Sequence, residues 1–375
     1  MWYASLAYAM LGQVWGIAIP AVGGVMLLAI AAGCFIGIAS SAVRVYQPIV
    51  WAFCTGFIGL AIQFFFHDEG TDAWSEIIAI VSWLALLVIV QALALRPQFL
   101  LRFALVALGI GLVCLPYLKM ANVGGVVRTW GAGGLANPNV LGMWFGFCAV
   151  YYIFAGFQYR GTSVRLACWS AAVGCLFIVM LTVSRAPLAA VALACIVGFR
   201  SALKGSFVPL LALVSLLGLV YVSGMFDNEI AYYESRGAEE SGRGSLWPAA
   251  LERILQSPWT GVGLDDIKIR IGRKFINPHN GLLHIALGTG IITLICFIGY
   301  LVRVGIGTLR IMQRAPAGEG AILPPLVVYA LFELMVLDYA FMSPWSAVVF
   351  GLAAGYGERS IWQRAQNVPS DKGTS

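Results

Sequence analysis

PNVLGMWFGFCAVYYIFAGF, residues 138–157, runs for a whole membrane thickness without a charged side chain. As a helix rising 1.5 Å per residue, a stretch of this length covers the roughly 30 Å of hydrocarbon in a bilayer. It lacks the polar alternation of a barrel strand. A helix, in contrast, satisfies every backbone group internally, as lipid demands. Similar stretches recur at 3–19, 21–40, 48–66, 74–94, 100–118, 166–183, 186–200, 207–225, 281–301, 322–338 and 341–357. Composition agrees, because the chain is 60% hydrophobic and only 11% charged, against about 25% charged in a soluble domain. The fold expected is an all-α, polytopic transmembrane helical bundle of about twelve helices. It forms one integral membrane domain, 1–375. The first apolar stretch lacks a basic flank and is expected to stay as a helix rather than be cleaved.

The basic residues give the orientation. Arg44, Arg96, Arg102, Arg160, Arg165, Arg200, Lys204, Arg303, Arg310, Arg314, Arg359, Arg364 and Lys372 fall on every second connection, and these are 13 of the 23 Lys and Arg. This places both termini in the cytoplasm. The opposite connections include HDEGTD at 67–72 and one long polar loop, 226–278, with seven basic and eight acidic residues. The net charge of +6 therefore follows topology and does not indicate a nucleic-acid partner. All eight cysteines lie in apolar runs, without the spacing of a disulfide framework or a zinc site.

Within the loop, Trp247, Ala250, Leu251, Ile254 and Leu255 recur at helical spacing, with Ser245 as N-cap and Pro248 in the first turn. The pattern predicts a short amphipathic helix on the bundle or the membrane surface, stopped by Pro258 and followed by a turn at Gly261 and Gly263. Arg185 interrupts two apolar helices at the outer boundary, where a cation either snorkels or meets an anion. Arg243 lies among glycines in SGRGSLW, and His279 comes just before a helix in NPHNG. His284 has no carboxylate near it in sequence, so metal binding is not expected there. His67 reads as part of a hydrated loop. Glu333 is an ionisable group inside an apolar helix, where it either serves a function or pairs with a neighbouring helix.

Four segments together resemble the O-antigen ligase/polymerase superfamily of bacterial envelope glycosyltransferases. They are LANPNVLGMWF (135–145), LTVSRAPLAAVAL (181–193), GRGSLWPAALERILQSPWTGVGL (242–264) and PHNGLLHIALGTGIITLICFIGYL (278–301). The resemblance implies transfer of a glycan from an undecaprenyl-diphosphate carrier to an acceptor at the periplasmic face of the inner membrane. It maps the catalytic residues onto Arg185, Arg243 and His279. Arg185, Arg243, Asn280, Trp247, Asn137 and Asn139 are the expected substrate-binding set, with no metal and no cofactor. Family members often carry a glutamate where this chain has Thr289, in LGTGI. The acceptor implied first is the lipid A core oligosaccharide. The alternatives are a polymerase extending another lipid-linked repeat, a protein O-oligosaccharyltransferase and, from a different class, a lipid-linked glycan transporter.

Overall fold

The computed structural model describes residues 47–67, 70–93, 98–123, 126–131, 133–159, 161–202, 243–271, 274–314, 319–338 and 342–366, with residue 32. The expected spans 3–19, 21–40 and 207–225, and the first part of the polar loop, lie outside the described residues. The helices are α1 (Gln47–Phe66), α2 (Thr71–Leu93), α3 (Phe99–Cys114), α4 (Pro138–Gln158), α5 (Thr162–Leu181), α6 (Arg185–Ala202), α7 (Arg243–Gln256), α8 (Gly281–Arg314), α9 (Glu319–Val336) and α10 (Pro344–Gln366). Six of these, α1 to α5 and α8, are long and apolar enough to cross a membrane. Shorter apolar helices lie within α6, α9 and α10. Each remaining expected span thus falls on a helix.

The chain is mostly but not wholly helical. Two antiparallel hairpins were not anticipated: β1 (Lys119–Val123) with β2 (Val126–Trp130), and β3 (Ile269–Ile271) with β4 (Lys274–Ile276). The first joins α3 to α4. Its strands carry the β-branched VVRTW run, and Gly124-Gly125 between them is a hairpin signal.

The bundle is layered around α4, which is buried along nearly its whole length and packs against α5, α6 and α9. Rings of Phe147, Trp345 and Tyr329 stack at 5.5–5.6 Å where α4, α9 and α10 meet. Tyr329 donates to the carbonyl of Met143 at 2.7 Å, setting the last turns of α9 beside the first turns of α4. The described cysteines are free thiols in the apolar helices.

The expected span 281–301 is neither straight nor that short. At Gly290 the backbone turns to φ 83°, ψ 176°, a region open essentially to glycine alone. The rung from Ile291 N–H to the carbonyl of Leu287, four residues back, is thereby opened. The polar loop fills both halves of it. Ile291 N–H donates to the Pro258 carbonyl (2.8 Å), and the Leu287 carbonyl accepts from Val262 N–H (2.7 Å). Gly261, at φ 70°, permits the approach, since a Cβ there would meet the Leu287 carbonyl at 2.4 Å.

The same segment ties down the α1–α2 end. Leu264 N–H donates to Gln63 Oε1 at 2.9 Å. Asp265 accepts from Gly70 N–H (2.7 Å) and Ala73 N–H (2.8 Å), and so caps α2 from a distant part of the chain. His67, expected in a hydrated loop, instead lies with Nε2 3.0 Å from the Thr260 carbonyl.

In α7 the expected boundary shifts. The helix begins at Arg243, so Ser245 and Pro248 lie inside it rather than at its cap and first turn. Leu246, Ala250 and Ile254 are its buried row, whereas Leu251 and Leu255 are 53% and 74% exposed. The packed face is therefore rotated from the one read in the sequence.

Gly290→Ala is expected to destabilise the protein by more than the ~1–3 kcal/mol of a forced backbone conformation, because its Cβ would also meet the Trp259 carbonyl at 2.1 Å. Gly305→Ala, in the same helix with nothing within 4 Å of a Cβ, is the matched control and should be neutral or slightly stabilising. Thermal midpoints of the two purified variants in detergent check this.

Candidate active site

Two polar clusters form where the connections meet, each built on a residue in the left-handed backbone region. The first is the turn Pro278-His279-Asn280. His279 has φ 49°, a conformation uncommon outside glycine and held only where neighbours impose it. Both sides of the residue are pinned. Trp247 Nε1, on α7, donates to the Pro278 carbonyl at 3.1 Å. Asn280 N–H donates to Asp338 Oδ1 at 3.0 Å.

Asn280 also N-caps α8, its Oδ1 accepting from Leu282 N–H (2.9 Å) and Leu283 N–H (3.1 Å). Its Nδ2 reaches the Met335 carbonyl. The other oxygen of Asp338 lies 3.3 Å from His279 Nδ1, with the imidazole 42% exposed and the carboxylate 4%. A buried acid thus faces one ring nitrogen and leaves the half-exposed ring available on its other edge. Such an arrangement fixes the orientation of the ring.

The second cluster surrounds the α5–α6 turn, Thr182-Val183-Ser184, which delivers Arg185 as the first residue of α6. Val183 is buried and left-handed (φ 51°). Ser184 Oγ donates to Asn139 Oδ1 at 2.7 Å. Arg128, on β2, donates from Nε to the Thr182 carbonyl at 3.1 Å and from Nη2 to Asn139 Oδ1 at 3.4 Å. Asn137 N-caps α4 by accepting from Asn139 N–H. Arg185 is exposed at this edge.

Of the residues expected from sequence, Trp247, His279 and Asn280 therefore lie together, and Asn137, Asn139 and Arg185 lie together. The helices that lead to the two groups, α4 and α9, pack against each other. Arg243 opens α7, but its side chain lies outside what is described. Asp338 and Arg128 were missed. Asp338 closes an apolar run and looks like a helix-end charge. A charge count offers a hint for Arg128: beyond the 13 basic residues of the cytoplasmic-type connections and the seven of the long loop, Lys119, Arg128 and Arg185 remain of the 23.

His284, read as lacking a carboxylate, has one. Its Nε2 lies 3.6 Å from Glu76 Oε2, both buried, beside a cavity of about 30 Å³ shared with Thr55, Thr289 and Thr293. Glu333 is fully buried next to Tyr329. No group of three or more potential metal ligands occurs among the described residues.

Fold and site define a multi-pass membrane protein with its polar groups gathered where the connecting segments meet. Residues 170–298 match the model of a family described as O-antigen ligase. From within α5 through α6 and α7 to the middle of α8 the chain is thus similar to the O-antigen ligase superfamily, the one its motifs resemble. That family's members are membrane glycosyltransferase-like enzymes using lipid-linked glycans, and the match supports a function of this general kind. The search of curated proteins found no match.

Asp338→Ala leaves the buried Asn280 N–H without its acceptor and should lower stability by about 1–3 kcal/mol. Asp338→Asn keeps an acceptor oxygen and should lose less. Denaturation of both variants in the same detergent checks the order.

Proposed function

We propose that the protein is an O-antigen ligase-like glycosyltransferase. It moves a glycan from undecaprenyl diphosphate to the lipid A core oligosaccharide at the periplasmic face of the bacterial inner membrane, with both termini cytoplasmic. The observation that carries this reading is the Asp338–His279 pair, in which a buried carboxylate from beyond the matched segment orients a half-exposed imidazole inside it.

In the reaction, the acceptor hydroxyl oxygen attacks the anomeric carbon, and the bond from that carbon to the diphosphate oxygen breaks. Undecaprenyl diphosphate departs with the electron pair, and the hydroxyl proton passes to the His279 edge facing away from Asp338. A single displacement inverts the anomeric centre. Arg185 and Arg243 bind the diphosphate as its negative charge grows, using the planar fork that suits phosphate oxygens. These fixed cations make a metal ion unnecessary in principle. Trp247, Asn280, Asn137 and Asn139 hold the surrounding backbone and line the approach of the substrates. A polymerase would use the same donor chemistry with a second lipid-linked repeat as acceptor, and the lipopolysaccharide pattern of a deletion strain separates the two. A ligase deletion accumulates carrier-linked polymer, whereas a polymerase deletion leaves single repeats.

His279→Ala and Arg185→Ala should each abolish transfer at normal protein level, measured by glycan transfer in isolated membranes. Retained activity in either variant would remove that residue from the mechanism. Arg243→Lys should be impaired despite keeping its charge. Activity should survive EDTA, and a loss restored by a divalent cation would contradict the metal-free chemistry.

A further inference from the structure

Arg185 follows directly on a strained turn, and that turn is held by bonds on both flanks of its strained residue. Val183, β-branched and at φ 51°, sits in a strained conformation that persists only when the surroundings over-determine it. On one side the Thr182 carbonyl accepts from Arg128 Nε at 3.1 Å. On the other, Ser184 Oγ is bonded to Asn139 Oδ1 at 2.7 Å, and Arg128 Nη2 reaches that same oxygen at 3.4 Å. One guanidinium therefore spans the turn, directly and through Asn139. The turn is also close-packed onto α4, since a Cβ on Gly142 would lie 3.0 Å from Thr182 Oγ1 and 2.9 Å from Pro187. The residue released from this clamp is Arg185.

We propose that Arg128 is a positioning residue for the transfer reaction: by clamping Thr182 and Ser184 about Val183 it fixes where the Arg185 guanidinium meets the donor diphosphate. This rests on the reading of Arg185 given above. It acts through geometry, so lysine, with one compact ammonium group, cannot replace the two-pronged span from Thr182 to Asn139.

Binding of sugar-free undecaprenyl diphosphate to the purified protein in detergent tests this, because binding stays measurable in variants unable to transfer. Arg128→Gln should weaken binding about tenfold, on the scale of a lost charge-assisted hydrogen bond. Arg185→Ala should weaken it at least as much. The double variant should bind no worse than Arg185→Ala alone, within about twofold, since a positioning residue has no effect once the positioned group is gone.

Ser184→Ala, a milder break in the same clamp, should weaken binding several-fold with little change in thermal midpoint, and it carries the test should Arg128→Gln fail to fold. Effects that multiply in the double variant would make Arg128 a direct ligand and overturn the inference. Unchanged binding in Arg128→Gln, or in Ser184→Ala where that variant stands in, would do so as well, while leaving the Arg185 reading intact. Wild-type binding in Arg185→Ala would overturn that reading and this inference together.

Discussion

The opened helical rung at Gly290 is the contact on which the arrangement of the polar loop depends. A continuous α8 would have no backbone groups to offer, and Pro258 and Val262 would have to be solvated at the membrane edge. Because Ile291 N–H and the Leu287 carbonyl are freed together, the loop docks by main-chain hydrogen bonds, which tolerate no slippage of register. From that anchor α7 extends on one side, with Leu246, Ala250 and Ile254 packed inward. The Pro278-His279-Asn280 turn lies on the other. Trp247 closes the circuit by bonding from α7 back to that turn.

The two clusters share a plan. In each, a non-glycine residue in the left-handed region lies at or near a candidate catalytic group, and its neighbours on both sides are bonded to side chains from elsewhere in the chain. Asp338 and Trp247 do this for His279, and Arg128 with Asn139 does it for the turn before Arg185. Residues in such conformations are held at a cost met by their surroundings. The parts of the site that hold groups in place are therefore distributed over loops far apart in sequence.

The apolar spans were legible because lipid leaves so few solutions: a chain that must satisfy its own backbone over about 30 Å becomes a helix. Asn280 and Trp247 were legible as members of motifs, although their bonds were not. What could not be read was whatever depended on distant partners. His284 has no carboxylate near it in sequence, and the fold brings it Glu76 from α2. His67 looked solvated, yet it contacts Thr260, 193 residues away. Ser245 reads as a cap because local preference favours serine there, whereas the helix already includes Arg243 and Leu246 is buried in it. The β1–β2 hairpin went unread because short strands between long apolar runs leave little periodic signal, and Arg128 was hidden with it.

The cap that Asp265 places on α2 has a consequence for biogenesis. Gly70 is separated from its capping carboxylate by 195 residues, a stretch that takes roughly 10–40 s to synthesise at typical rates. During that interval α1 and α2 are already made while the first turn of α2 lacks the carboxylate that accepts from Gly70 and Ala73. Vectorial insertion thus yields an early helical hairpin whose polar end closes only when the late loop arrives. The polar end of the α1–α2 pair is thus completed only by a segment made 195 residues later.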